Sequence, residues 1–297
     1  MVPRFLILLL FICFFTGPLV SKQKKITFYF VNTGETAQIK KSIKKVRRFL
    51  EKETGLKIKT VLAAPGRYSQ IIDAMGKGKA DIAFINTFGY LLARQRHGVR
   101  PLLLVVRGDN LTRYRGQLVV RADAQIKELA DLRGKNVAFM NKLSASGYLL
   151  PSQMLASAGV KVRAQHHGSW RAVLMAVLKK KATAGATYYL PADGNGDIQD
   201  ARKILKLEFP EIEKKLVVLK LTPELSNEPI MVRKGLDNKT AKLLARALKK
   251  YIARAKGRRV LMGMYSINWF EDTKDAHFDA TRKFLKQANI DLNTLIR

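Results

Sequence analysis

The chain has 297 residues, 47% of them hydrophobic, enough to bury a sizeable core that is expected to divide between two lobes. Its 55 Lys and Arg against 23 Asp and Glu give a formal charge of +32, which admits nucleic acid, an anionic membrane surface or a small anionic ligand as partner. The cations fall on every predicted helix, and no zinc finger, RRM signature or aromatic–basic strip accompanies them, so specific nucleic-acid recognition is excluded as an expectation and charge alone selects no partner.

In chain order, Arg4 precedes an unbroken apolar run over residues 5–15, closed by Gly17-Pro18 before a Lys-rich stretch. A positive start, a short apolar run and a turn-forming end are the pattern of a secretory signal, expected over residues 1–21. The run is short for a transmembrane span, and no A-x-A site follows it, which leaves cleavage and retention as an anchor both open. Cys13 lies in this run after the bulky Phe11 and Ile12, so it reads as an apolar signal residue rather than a lipid-attachment site. It is the only cysteine, and the rest of the chain therefore has neither a disulfide framework nor a Cys-based metal site.

Beyond the signal, strand and helix patterns alternate. Residues 26–31 read as a strand, followed by Ile39, Ile43, Val46 and Leu50 at helical spacing. Residues 57–63 and 81–85 read as further strands, each with a helix behind it, and residues 100–106 close this first set. A second set starts near Tyr114, with strands around residues 117–120, 137–140, 160–164 and 184–188 and a clear helix at 172–178. Strand-like segments at 217–219 and 230–232 lead into long helices, expected over 240–262 and 275–288, that pack back on the first lobe. The pattern predicts an α/β protein: two lobes with mostly parallel sheets, joined by hinge strands near Val105 and Leu219, with a ligand cleft between them. The expected boundaries are residues 22–107 with 223–297 for one lobe and 108–222 for the other.

The most specific local signal is Ser144-Ala145-Ser146-Gly147-Tyr148-Leu149-Leu150-Pro151. It joins an apolar run, 136–140, to a helical pattern. A strand, a hydroxyl-rich turn and a helix start bring two Ser side chains and unpaired backbone N–H groups to one point, where the helix dipole favours an anion. Taken alone, the same pattern is also that of a Ser capping a helix.

Three other stretches accompany this loop: Ala80-Asp81-Ile82-Ala83-Phe84-Ile85-Asn86-Thr87-Phe88-Gly89-Tyr90, Gly168-Ser169-Trp170-Arg171-Ala172-Val173 and Asn227-Glu228-Pro229-Ile230-Met231-Val232-Arg233-Lys234. Together the four segments resemble the phosphate, phosphite and phosphonate substrate-binding proteins of bacterial ABC importers, over residues 26–290. The resemblance implies a type II periplasmic-binding-protein-like fold. It also implies capture of a phosphorus oxyanion by cleft closure in the periplasm and delivery to a membrane permease, by a monomer without cofactor or metal. Carried over by position, Ser144 and Ser146 would donate hydroxyl hydrogen bonds to the ligand, and backbone N–H groups around Ser146 and Gly147 would add to them. Tyr68 and Tyr90 would line the other lobe's side of the cleft, and Glu228 would accept from a protonated P–OH or a ligand amine. Ala145, Trp170 and Thr183 depart from the family pattern, which has Thr, His and Asp there. The departures point to a different anion, or to an organophosphonate whose organic part packs on Trp170.

Other readings stand beside these. Tyr68 and Tyr90 are equally explained as core aromatics, and Trp170 as a hydrophobic staple at its helix start. The His166-His167 pair lacks a third ligand at metal spacing. Met262, Met264 and Tyr265 read as core. An extracytoplasmic sensor of the same fold, presenting its ligand state to a partner such as a histidine kinase, is the alternative function. No Ser–His–acid constellation or phosphate-cradling G-x-x-x-x-G-K motif supports an enzyme.

Overall fold

A computed structural model describes residues 24–32, 36–142 and 144–296, so the signal expected over residues 1–21, with Cys13, lies outside the described residues. Within them the chain alternates as the sequence predicts. In β1 (Lys25–Phe30), Ile26, Phe28 and Phe30 are buried on alternate positions. The helix α1 (Thr36–Thr54) follows, turning Ile39, Ile43, Val46 and Leu50 inward and its Lys-rich side to solvent. Next come β2 (Lys57–Leu62), α2 (Tyr68–Gly76), β3 (Ile82–Phe84), α3 (Thr87–His97) and β4 (Arg100–Val106). The chain then passes to β5 (Arg113–Arg121), β6 (Asn136–Phe139), α4 (Leu150–Ser157), β7 (Arg163–His166), α5 (Trp170–Leu178), β8 (Ala184–Tyr189), α6 (Ile212–Lys215) and β9 (Leu216–Ser226). It returns through β10 (Pro229–Val232), α7 (Asn238–Ala253), α8 (Ala255–Tyr265), β11 (Trp269–Asp272), α9 (Asp279–Gln287) and α10 (Leu292–Leu295).

Two mixed sheets result, in the orders β11-β4-β10-β3-β1-β2 and β7-β6-β8-β5-β9. Parallel pairing links β2, β1 and β3 in one and β7, β6 and β8 in the other. Both sheets also contain an antiparallel part, in which β10 pairs with β3 and β4, and β5 pairs with β8 and β9. The first sheet shares one large core with α1, α2, α3, α7 and α8. The second is covered on both faces: Val119 and Ala138 pack under α5, while Leu118, Val120 and Phe139 pack under α4.

Two segments cross between the sheets. One runs from Arg107 to Thr112, closed by paired backbone bonds between Arg107 and Leu111. The other is Asn227 with Glu228. The second crossing lies beyond the hinge expected near Leu219, because β9 stays paired with β5 as far as Ser226 and so runs past the boundary expected at residue 222. Buried Asn227 ties the crossings together. Its side-chain amide donates to Val105 O at 2.9 Å and Leu111 O at 2.8 Å.

The tail differs from its expected form in two ways. The helix expected over 240–262 breaks at Arg254, whose ψ of 136° is extended. Gly257 permits the break: a Cβ there would fall 1.8 Å from Tyr251 O. Beyond α8 the tail adds an unanticipated edge strand, β11, paired with β4.

Candidate functional site

Between the sheets, at the carboxyl ends of β1, β3, β6 and β8, lies a cavity of about 460 Å³. Such crevices at the carboxyl ends of α/β strands are where ligands bind in open sheets.

The wall on the five-stranded sheet's side is built from the Ser-rich loop. Ser144 caps a wide turn over Ala145–Leu149 that continues into α4, and its hydroxyl oxygen accepts from Gly147 N at 3.2 Å. Ser146 is 4% exposed and lies beside Tyr114 of β5. Ser144, Ala145 and Ser146 line the cavity. Gly147 lies behind them, with its N–H held by Ser144 and its carbonyl accepting from Met140 N at 2.9 Å. Its N–H is therefore not directed at a ligand, which corrects the expected donor role. Its lack of a side chain matters instead, because a Cβ there would lie 2.6 Å from the Trp170 ring. Trp170 opens α5 behind the cap of Ser169, meets Tyr188 edge-on at 5.4 Å and lines the cavity.

The opposite wall comes from the six-stranded sheet. Tyr68, at the start of α2, faces the cavity beside Val31, Phe84 and Asn86, the last being the N-cap of α3. Tyr265 stacks on Phe84 at 4.4 Å and donates to Val31 O at 2.6 Å. Met264 and Tyr265, read from the sequence as core, are buried in it and also line this wall, while Met262, read the same way, is 41% exposed.

Tyr90 is not brought to the cavity, which corrects that expectation. It is fully buried, one turn into α3, with its ring on Phe278 at 4.7 Å and its hydroxyl donating to the Asp275 carboxylate. Arg282 Nη2 approaches the same carboxylate at 2.6 Å and Arg94 Nε at 3.5 Å. A buried hydroxyl needs a partner, and the tail supplies it. Tyr90 is thus a clasp between α3 and the tail.

Glu228 lines the cavity but is not a free acceptor. Arg107, at the first crossing, grips both of its oxygens, Nη1 to Oε2 at 2.8 Å and Nη2 to Oε1, while Nη2 also donates to Tyr265 O at 3.1 Å. The two side chains are 14% and 16% exposed. Burial drives the Glu228 pKa upward, yet the charge and hydrogen bonds of Arg107 outweigh it and hold the carboxyl below its ordinary value. The bidentate fork fixes an electroneutral pair at the junction of the two crossings.

Four tyrosines meet here, and burial, the largest cause in each, keeps their hydroxyls protonated. Tyr68 is pushed up to about 12, with Glu228 adding to the effect, and Tyr188 to about 12, with Asp200 adding to it. Tyr114 and Tyr265 are also raised. Ser144, Ser146, Tyr68, Tyr188 and Trp170, all side chains that carry a hydrogen-bond donor, thus line the cavity together. Lys203 stands at the rim, its ammonium donating to Gln199 at 2.9 Å. Val31, Phe84, Leu190 and the two methionines give the rest an apolar surface.

Arg107, Tyr114, Tyr188, Tyr265 and Lys203 were not singled out from the sequence as site residues. Arg107 had a usable signal, a cation directly after the apolar strand 102–106 and before Gly108. No metal-binding group of three or more His, Cys, Asp or Glu exists among the described residues.

Comparison with known proteins gives a consistent picture. The family model described as the periplasmic substrate-binding protein of phosphonate ABC transporters matches residues 28–278. A phosphate-import protein of Mycolicibacterium smegmatis is 31% identical over 138 residues, which are 46% of this chain and 42% of that protein. A phosphonates-binding periplasmic protein of Escherichia coli is 26% identical over 229 residues, 74% of this chain and 64% of that one. The chain thus spans less than two thirds of either relative's length. In fold it is similar to the crystal structure of a binding-protein component of an ABC phosphonate transporter from Pseudomonas aeruginosa. The TM-score is 0.69 at 21% identity, covering 90% of this chain and 88% of that one.

Proposed function

The chain belongs to the family of periplasmic substrate-binding proteins of phosphonate ABC transporters, and we propose that it captures a phosphonate-type oxyanion by cleft closure and delivers it to a membrane permease, without chemistry of its own. In this reading the cleft closes between the lobes expected from the sequence, and the chain works as an exported monomer. The observation that carries the proposal is the convergence of Ser144, Ser146, Tyr68, Tyr188 and Trp170 donors on one cavity at the carboxyl ends of the strands.

Ser144 and Ser146 donate to the oxyanion from one wall and Tyr68 from the other, so a bound anion bridges the walls and favours closure. Each hydrogen bond to a charged group contributes about 1.5–3 kcal/mol, and four or five of them offset the dehydration of a small anion. Arg107 bonds one position on each oxygen of Glu228, and the pair lends the site no net charge. The cavity of about 460 Å³ exceeds what a bare tetrahedral anion fills. An organic substituent would lie along the apolar side formed by Trp170, Leu190 and the methionines.

Calorimetric titration with phosphate, phosphite, methylphosphonate, aminoethylphosphonate and sulfate tests this. The expected result is one-to-one binding of at least one phosphorus anion, weakened about 10- to 100-fold in Ser146→Ala, the loss of one charge-assisted bond. Absence of binding across the panel, or an unchanged affinity in Ser146→Ala, contradicts it.

A further inference from the structure

The layer of helices on one face of the six-stranded sheet carries a charge that the ligand cavity does not use. Helices α1, α7 and α8 pack side by side there, with Phe49 of α1 tilted against Tyr251 of α7 at 4.9 Å and Arg254 over the Phe49 ring at 4.7 Å. Helix α1 carries seven Lys and Arg against two Glu, while α7 carries five and α8 three with no acidic residue. Both Glu of α1 are consumed within the layer, Glu51 by Arg47 and Glu53 by Lys250. The solvent side of α1 is then Lys40, Lys41, Lys44, Lys45, Arg48 and Lys52, none with an acidic partner among the described residues. The opposite layer is unlike it. Helices α2, α3 and α9 carry none, two and three Lys or Arg, with Asp73 and Asp279 among them. Together α1, α7 and α8 carry 15 Lys and Arg against two Glu, and α2, α3 and α9 five against two Asp, so the excess is greater on the first layer.

We propose that the α1–α7–α8 face docks on an anionic lipid surface. The charges are mostly Lys, mobile point charges on long apolar stems, spread across a broad helical layer. Such an array suits the diffuse negative potential of a leaflet, where each cation near the surface adds attraction independently. A single-stranded nucleic acid would ask for exposed rings on which to stack bases, and the rings of this layer, Phe49 and Tyr251, are packed against each other and under Arg254. The place of Lys24, where the described residues begin, points the same way: it donates to the Asp237 carboxylate and to Thr240 Oγ1 at 2.9 Å, at the N-terminus of α7 and the edge of this face, and residues 1–23 precede it in sequence. Those residues include the apolar run over 5–15. One apolar segment together with a polybasic surface makes the two-part attachment that holds a protein at a membrane when neither part alone suffices.

The test is sedimentation of the full chain with vesicles of phosphatidylcholine alone and of phosphatidylcholine with about a third phosphatidylglycerol, at low salt and at about 0.5 M salt. The apolar run meets both vesicle types equally, so the ratio between them reports the charged face. The expected ratio is about tenfold or more, collapsing at high salt. It is lost in the variant Lys44→Glu, Lys45→Glu, Lys242→Glu, Arg246→Glu and kept in an equally charge-changed variant, Lys77→Glu, Lys79→Glu, Lys283→Glu, Lys286→Glu, with thermal melting verifying that both fold. No anionic preference in the unaltered chain overturns the proposal. So does an equal loss in the two variants, which would assign the effect to net charge alone. Binding of an RNA oligomer that depends on the α1 and α7 cations, without vesicle binding, would assign the face to nucleic acid instead.

Discussion

Glu228 carries its charge inside the protein because Arg107 answers it through two hydrogen bonds. Removing one partner leaves the other as an uncompensated charge, whereas removing both leaves none. Arg107→Ala is expected to lower unfolding stability by about 3 kcal/mol, and the double variant Arg107→Met, Glu228→Leu to recover most of that, as read by urea denaturation. The pair also sets a pH dependence. Because the folded Glu228 carboxyl sits below its ordinary value near 4.5, its stabilisation is complete above that pH. Below it the unfolded chain takes up a proton first, and the contribution is lost as pH falls through the folded value. The stability gap between the unaltered chain and Glu228→Gln is therefore expected to stay constant from about pH 8 to 5 and to shrink below about 4.5. A gap that instead shrinks above neutral pH would mean that the carboxyl is not the titrating group.

At the scale of elements, α3 divides its tasks between its two ends. Asn86 caps it at the cavity, and Tyr90, one turn on, holds the tail through Asp275. Tyr90→Phe is expected to cost about 1–2 kcal/mol in thermal or urea unfolding and to leave phosphonate affinity within about twofold. A tenfold loss of affinity would return Tyr90 to the site. The strands and most helices were legible because burial imposes a period on them: Ile26, Phe28 and Phe30 alternate, and Ile39, Ile43, Val46 and Leu50 recur at helical spacing. The Ser144 loop was legible for a related reason, since its cap, turn and helix are all local. What pairs at a distance was not. Nothing near Glu228 in sequence announces Arg107, and nothing near Tyr90 announces Asp275. Edge strand β11 escaped notice because Trp269–Asp272 is short and half exposed. The break between α7 and α8 was hidden because it turns on the approach of Gly257 to Tyr251 O rather than on any interruption of the apolar period.

For the molecule as a whole, the backbone crosses between the two sheets at Arg107 to Thr112 and at Asn227 with Glu228, and Ala145, Leu149, Leu150 and Leu225 add apolar packing from the five-stranded side to the core of the other. Asn227 fastens the crossings to each other, and the Arg107–Glu228 pair sits beside it. Under the proposed function, closure around an anion would be a movement of the two sides about this junction. The donors that would meet the anion stand on both sides of that movement, Ser144 and Ser146 on one wall and Tyr68 on the other. The most direct test is a crystal structure of the protein grown with methylphosphonate. The phosphonate oxygens are expected within hydrogen-bond distance of the Ser144 and Ser146 hydroxyls, with Tyr68 closing from the opposite wall and Arg107 still paired to Glu228. An anion seated away from these serines, or a cleft that stays empty at saturating ligand, would contradict it.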